Sequence, residues 1–427
     1  MRSLFRRRYF RHWSIRKSMR CFSSSSRNVS KEFDVVIVGG GVMGSSSAFH
    51  IASRDPTKRV CVIERDPGYS KCSSTLSVGG IRQQFSMAEN IQLSQYSYKF
   101  FTEVSKHLTV DPADPADIHL RRGAYVMLAS KEGVSTLMEN YKLQRDLGCH
   151  IKLLDNHGLH KRYPWMNTDD IKLGSVGFDC EGCFDPWALL SSFKKKSISL
   201  GVQYIHAEAT GMMVSDDKIA GIQIAPSSQP DARYTLRCDT VVNCAGPWAG
   251  RIARQAGIDL PVEPRKRYVF VFKCPDQPIR ENTLFVDRTG VYFRPEPQGY
   301  ICGLSPNEDE EPDVADLEVD YDFFTEKIWP VLAHRVPAFE CIKIQGAWAG
   351  YYDYNVLDQN AVIGRHPKLS NMIFATGFSG HGIQQSPAVG RAVSELILDQ
   401  EFTTIDLRNM GYERVINNAP IREKNIV

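Results

Sequence analysis

Two short apolar runs open the ordered pattern of this chain. Asp34-Val-Val-Ile-Val38 and Val60-Cys-Val-Ile-Glu64 are β-branched, uninterrupted by polar side chains and bounded by glycine or charge, which predicts two buried strands. No formally charged residue occurs from Val35 to Ser53, a length that could pass for a membrane span. Gly39, Gly40, Gly41 and Gly44, followed by Ser45, Ser46 and Ser47, divide that stretch instead into strand, glycine turn and buried helix. The result is a βαβ unit with no transmembrane helix. Further strands are predicted at Ala124–Leu128, Gly201–Ile205, Thr240–Asn243, Tyr268–Phe272, Gly290–Phe293 and Met372–Ala375, with helices over 90–106, 131–147, 186–199 and 383–399. Alternation of the two kinds of element gives an α/β chain, α+β overall. Residues 305–320 read as an acidic loop and 403–427 as a polar tail, neither with legible chemistry.

Length and charge refine this picture. A chain of 427 residues suits two domains. Its formal charge of +3 misleads, because residues 1–30 hold nine basic side chains and no acid; without them 43 basic residues face 49 acidic ones, a charge of −6. That balance excludes a phosphate-binding surface for nucleic acid. The Arg- and Ser-rich leader, with Phe5, Tyr9 and Trp13 on one helical face, has the pattern of a mitochondrial transit peptide, a disordered basic tail being the alternative. The apolar run of a secretory signal is missing. Eleven cysteines, an odd count spread singly apart from Cys180 and Cys183, point to reduced thiols. Cys180-Glu-Gly-Cys183 lacks the second half of a zinc site and is expected to be structural, with no metal.

Chemistry enters with Gly39-Gly40-Gly41-Val42-Met43-Gly44, a G-x-G-x-x-G between strand and helix, with Glu64 at the end of the next strand. Gly39 permits the tight turn, Gly41 lets backbone N–H groups approach a pyrophosphate, and Gly44 lets helix and strand pack closely. Glu64 would accept ribose hydroxyls. A second such fingerprint, which a separate NAD(P)H domain would need, is absent, as is a Cys-x₄-Cys redox pair. Two later segments, Thr240-Val-Val-Asn-Cys-Ala-Gly-Pro-Trp-Ala249 and Phe374-Ala-Thr-Gly-Phe-Ser-Gly-His-Gly382, have the look of flavin contacts.

On those segments, over roughly residues 32–400, the chain resembles the FAD-dependent family that includes D-amino-acid oxidase, glycine oxidase, and sarcosine and dimethylglycine dehydrogenases. Ser77-Val-Gly-Gly-Ile-Arg-Gln-Gln-Phe85, Phe184-Asp-Pro-Trp187, Ala347-Trp-Ala-Gly-Tyr-Tyr-Asp-Tyr354 and Gly377-Phe-Ser-Gly-His-Gly-Ile-Gln-Gln385 narrow the likeness to a mitochondrial member associated with assembly of respiratory complex I. The resemblance implies FAD held by Gly39 to Gly44, Glu64, Arg65, Ser73, Ser74, Thr75, Ala245, Gly246 and Trp248, and by Gly377, Gly380, His381, Gly382 and Ile383 at a helix N-terminus. That terminus would stabilise the anion of the reduced ring. It matches Arg82 to the arginine that clasps a substrate carboxylate through two parallel hydrogen bonds. The competing role for Arg82 is to hold a loop or a phosphate oxygen.

Departures from the family matter as much. Where relatives bond the flavin through cysteine or histidine, this chain has Gly350 and Ser77, so FAD should be non-covalent. The second carboxylate-binding lysine is Gln384, and the lysine that activates oxygen falls near Ile301. Superoxide formed beside the ring would lack a stabilising charge, which implies a dehydrogenase in preference to an oxidase. The expected organisation is a leader (1–30), a discontinuous Rossmann-type FAD domain (32–119, 178–262 and 345–405), an antiparallel-sheet substrate domain (120–177 and 263–344) and a tail (406–427). Expected partners are an amine or N-methyl amino acid and complex I assembly intermediates, in the matrix and associated with the inner membrane. A FAD-bound assembly factor without turnover is the alternative.

Overall fold

β1 (Glu32–Val38) is the reason the first apolar run is continuous. Its side chains alternate between two cores, Val35 and Ile37 into one and Val36 and Val38 into the other, so both faces are covered and no polar position is needed. The computed structural model describes residues 31–425; the transit-peptide pattern read over residues 1–30 lies outside them. The remaining strands in chain order are β2 (Val60–Glu64), β3 (Gly80–Ile81), β4 (Arg121–Ala129), β5 (Ile151–Asp155), β6 (Leu173–Gly177), β7 (Glu181–Cys183), β8 (Gln203–Ser215), β9 (Lys218–Pro226), β10 (Tyr234–Asn243), β11 (Val262–Lys273), β12 (Thr283–Val286), β13 (Tyr292–Glu296), β14 (Gly299–Gly303), β15 (Lys343–Asn355), β16 (Val362–Arg365) and β17 (Met372–Thr376).

They form two large sheets. In the first, β8, β2, β1, β10 and β17 run parallel in that order, β16 is added antiparallel to β17, and β9 pairs antiparallel with both β8 and β10. The helices Val42–Arg54 and Gly382–Leu398 pack on one face. They meet so closely that a Cβ on Gly390 would lie 2.2 Å from Ser46 Oγ, which itself donates 2.7 Å to the Ser386 carbonyl. The second sheet has the order β15-β11-β14-β13-β12-β4-β6-β5, antiparallel except for the parallel pair β12 and β4. Phe270, Phe272, Phe285 and Phe293 build its core against Ile328, Leu332 and Phe339.

Several expectations shift. The helix read over 90–106 becomes Ala88–Thr102 and Val104–Leu108, because Glu103 leaves helical geometry at φ −113°, ψ 19°. The strand read from Gly290 starts at Tyr292; Asp287 to Gly290 form a turn that closes with Gly290 at φ +89°. The acidic loop, apart from a single 3₁₀ turn at Glu308–Glu310, is irregular, yet it fastens onto β11 through Lys266–Asp316 and Arg267–Glu311 pairs. The polar tail is likewise no bystander: Arg414 is buried on Asp358 at 2.7 Å, and the carboxylate of buried Glu423 accepts from Ser86 N and Asn90 Nδ2. Charge conceals these contacts from a hydropathy pattern, since burial here is made affordable by pairing. Cys183 lies in β7 and Cys180 in the turn before it, and the ten cysteines among the described residues are free thiols. No helix among the described residues is long and apolar enough to cross a membrane.

Candidate active site

The first sheet's carboxyl edge opens into a cleft whose far wall belongs to the second sheet, through Arg267, Val269, Tyr292 and residues 350–353. The glycine turn forms the near wall. Gly39 adopts φ +101°, and a Cβ there would lie 2.4 Å from the Cys244 carbonyl oxygen; one on Gly44 would lie 1.9 Å from the Gly39 oxygen. Both glycines are therefore demanded by the protein itself. Gly41 differs, because its Cβ would meet nothing closer than Cys72 Sγ at 3.4 Å, so the space above it is open. Gly41 is also the N-cap of the helix Val42–Arg54 and offers no capping side chain, which leaves N–H groups for an anion.

Ser74 Oγ accepts from Val42 N at 3.2 Å, and Ser73 Oγ and Tyr69 OH are buried with no partner while lining the cleft. Glu64 is positioned by Gly40 N on one carboxylate oxygen and Asp66 N on the other, each at 2.8 Å. Arg65 lays its guanidinium over the Trp248 ring at 3.9 Å, beside Ala245 and Gly246. Open floor, an uncapped helix N-terminus, orphaned hydroxyls and a fixed acid together fit a dinucleotide such as FAD.

Gly380, Gly382 and Ile383 also reach the cleft. Gly380 has φ +106°, and a Cβ there would lie 2.4 Å from the Tyr352 ring. Asp353, which the sequence reading passed over, shapes this turn by accepting from Gly377 N at 2.8 Å and Phe378 N at 3.1 Å. Protein packed around its carboxylate raises its pKa to about 6, with those N–H groups pulling the other way.

Other expected site residues stand behind the wall. Gly40 and Gly44 support the turn, Thr75 donates to the Tyr69 and Cys72 carbonyls, and Gly377 is bonded to Asp353. His381 packs on Phe85 at 5.3 Å, its Nε2 buried without a partner and its pKa lowered to about 3 by burial and then by Arg82. Arg82 and Gln384 are brought together, but not as a carboxylate clamp on the cleft. Arg82 N donates to Gln384 Oε1 at 2.8 Å, while the guanidinium donates to the carbonyls of Gln84 (2.6 Å) and Asn425 (2.5 Å) above the Phe85 ring. Carbonyls within reach thus satisfy the buried guanidinium without an outside anion.

The residues that sequence reasoning missed here are Arg267, Tyr292, Tyr352 and Asp353. Tyr352 and Asp353 both lie in the segment Ala347–Tyr354, and nothing in spacing marks Arg267 or Tyr292.

Known proteins agree with this architecture. The Xenopus laevis protein called FAD-dependent oxidoreductase domain-containing protein 1 is 46% identical over 423 residues, covering 92% of this chain and 85% of its own. The mitochondrial sarcosine dehydrogenase of Mus musculus is 22% identical, over 92% of this chain and 43% of its own. Among solved structures, L-proline dehydrogenase from P. horikoshii has a TM-score of 0.78 at 24% identity, over 92% of this chain and 100% of its own, the same fold of Rossmann-type FAD domain and substrate domain. The match of the FAD dependent oxidoreductase model to residues 34–396, added to the 46% relative, shows that the chain belongs to that family of FAD-dependent enzymes.

Proposed function

We propose that this chain is a mitochondrial FAD-dependent dehydrogenase for a small amine or N-methyl amino acid, with a role in the assembly or stability of respiratory complex I. The observation that carries the enzymatic reading is the position of the cleft: the glycine turn of one sheet faces Arg267, Tyr292 and Tyr352 of the other across a single space. Bound FAD supplies the acceptor for a hydride from the C–H beside the amine nitrogen, so no side-chain base is required. The protein's part is to orient the amine and keep out water, tasks suited to the rings of Tyr292 and Tyr352. Sarcosine and L-proline dehydrogenases among the relatives support amine or amino-acid chemistry, and the mitochondrial relative supports the compartment. The complex I role rests on the motif resemblance alone.

Two further features belong to this proposal. Ser77 and Gly350 line the cleft without a side chain that bonds a flavin, which supports non-covalent FAD. Ile301 is buried among Val78, Val269, Val271 and Trp348, an apolar setting that supports electron transfer to an acceptor other than oxygen. The proposed FAD domain, 32–119, 178–262 and 345–405, carries the parallel sheet together with most of β15, which pairs with β11 in the second sheet.

Engagement of Arg82 by Gln84 and Asn425 favours a second reading, an assembly factor that keeps FAD without turnover. Anaerobic addition of a panel of secondary and tertiary amines to the holoprotein separates the two. Bleaching of the visible flavin band by one of them supports the enzyme; a band unmoved by every amine, in protein that co-migrates with complex I intermediates on native gels, supports the factor.

A further inference from the structure

Arg267 on β11 is 7% exposed and lines the cleft beside Tyr292 and Tyr352. Its Nη1 and Nη2 donate to the two carboxylate oxygens of Glu311 at 2.7 and 2.8 Å, the paired geometry a guanidinium makes with a free carboxylate. Nη1 also donates to the Lys266 carbonyl, while Nε is buried with no partner. The site is thus built for an anion, keeps a donor in reserve, and already holds a carboxylate from its own chain.

Glu311 is not loosely attached. Its loop is fastened to β11 and β15 by Lys266 on Asp316 at 3.2 Å and by Tyr351 OH, which donates to the Val314 and Asp316 carbonyls at 2.8 and 3.0 Å. Glu310, next in the chain, is held by Lys327 at 2.6 Å. The other cations lining the cleft belong elsewhere: Arg65 covers Trp248, Arg251 pairs with Glu208, and Lys71 is exposed. A substrate that brought a carboxylate to Arg267 would have to expel Glu311 against these ties and leave one carboxylate without its partner. A substrate without one meets a neutral pair.

We propose that Glu311 is an internal carboxylate that fills the anion-binding fork of Arg267 and selects, among amines, those carrying no carboxylate at that end. This rests on the amine-oxidising reading above and narrows it, favouring its amine alternative over an N-methyl amino acid whose carboxylate would face Arg267. Glu311→Gln leaves the fork without its charge and converts the site into one that takes a carboxylate from solution.

The test is titration of the oxidised holoprotein with sodium acetate, followed by perturbation of the flavin spectrum and independently by calorimetry. Wild type should show no saturable binding, E311Q should bind acetate at least tenfold more tightly, and Arg267→Gln added to E311Q should remove that binding. Asp316→Asn, which loosens the loop but leaves the fork filled, should behave as wild type. Saturable acetate binding in wild type that R267Q removes overturns the proposal, as does an affinity in D316N equal to that in E311Q. If E311Q does not accumulate as holoprotein, Glu311→Ala takes its place in the same comparison, with R267Q added to it as the control. Acetate binding requires no turnover, so these outcomes are distinct from a flavin that no amine bleaches.

Discussion

The two walls of the cleft hold their ligands by different means. On the parallel-sheet side the contacts are main chain and small hydroxyls, crowded into residues 39–44 and 73–74, with Glu64 as the acid fixed by main-chain N–H groups. On the antiparallel side and behind it, the fixed groups are buried ions joined across long stretches of chain: Arg267 to Glu311, Arg82 to Asn425, Gln83 and Tyr125 to Glu181. A backbone cradle serves any dinucleotide and depends on shape. A network of buried ions depends on each member's partner, and removing one leaves another uncompensated.

The sharpest way to break this comparison is within the glycine turn. Gly44→Ala puts a methyl 1.9 Å from the Gly39 oxygen, so it should prevent folding, with no soluble holoprotein recovered. Gly41→Val should fold, because its Cβ has room in the protein, yet retain no FAD; comparison of thermal midpoints and released flavin checks both. A Gly41→Val protein that keeps its flavin would falsify the assignment of that space to the cofactor.

Next in size is removal of residues 420–427. Arg82 loses the Asn425 carbonyl, and Ser86 N and Asn90 lose Glu423, so stability should fall by about 3–5 kcal/mol in denaturant titration. A loss below about 1 kcal/mol would mean that the tail merely rests on the surface.

Glu181 offers a pH test of the ionic side. It is 1% exposed, and burial raises its pKa from 4.5 to about 7 against the pull of the Gln83 and Tyr125 N–H groups. The folded state therefore binds more protons than the unfolded one between these values, and stability falls as pH rises from about 4.5 to 7, by on the order of 3 kcal/mol. Glu181→Gln should flatten that slope, even though the amide can accept from only one of the two N–H groups. An unchanged slope would assign it to other groups.

The smallest effect is expected at the cradle's rim. Arg65→Ala removes the guanidinium from Trp248, a contact worth about 1 kcal/mol, and should weaken FAD roughly fivefold in fluorescence titration while leaving the thermal midpoint of the FAD-free protein unchanged.

Legibility in the sequence follows the same division. Gly39 to Gly44 and Glu64 declare themselves because their roles are set by neighbours within one βαβ unit, and β1 and β2 because burial on both faces leaves no polar position. Glu311, Asp353 and Glu423 do not, since a buried carboxylate looks in a hydropathy pattern like one in water; only its partner, tens or hundreds of residues away, distinguishes it. Arg82 shows how little a motif says about direction. Its place in the loop was readable, but the direction of its guanidinium depends on Asn425 at the other end of the chain.

The order of pairing in the parallel sheet has a consequence for biosynthesis. β1 leaves the ribosome first, but its partner β10 follows some two hundred residues later, and β17 with the Gly380 turn more than three hundred residues later. At roughly 5–20 residues per second, the glycine turn waits on the order of tens of seconds before its opposite wall exists. The cleft can therefore close only after the Gly380 turn has been synthesised, which places capture of the cofactor late in the making of the fold.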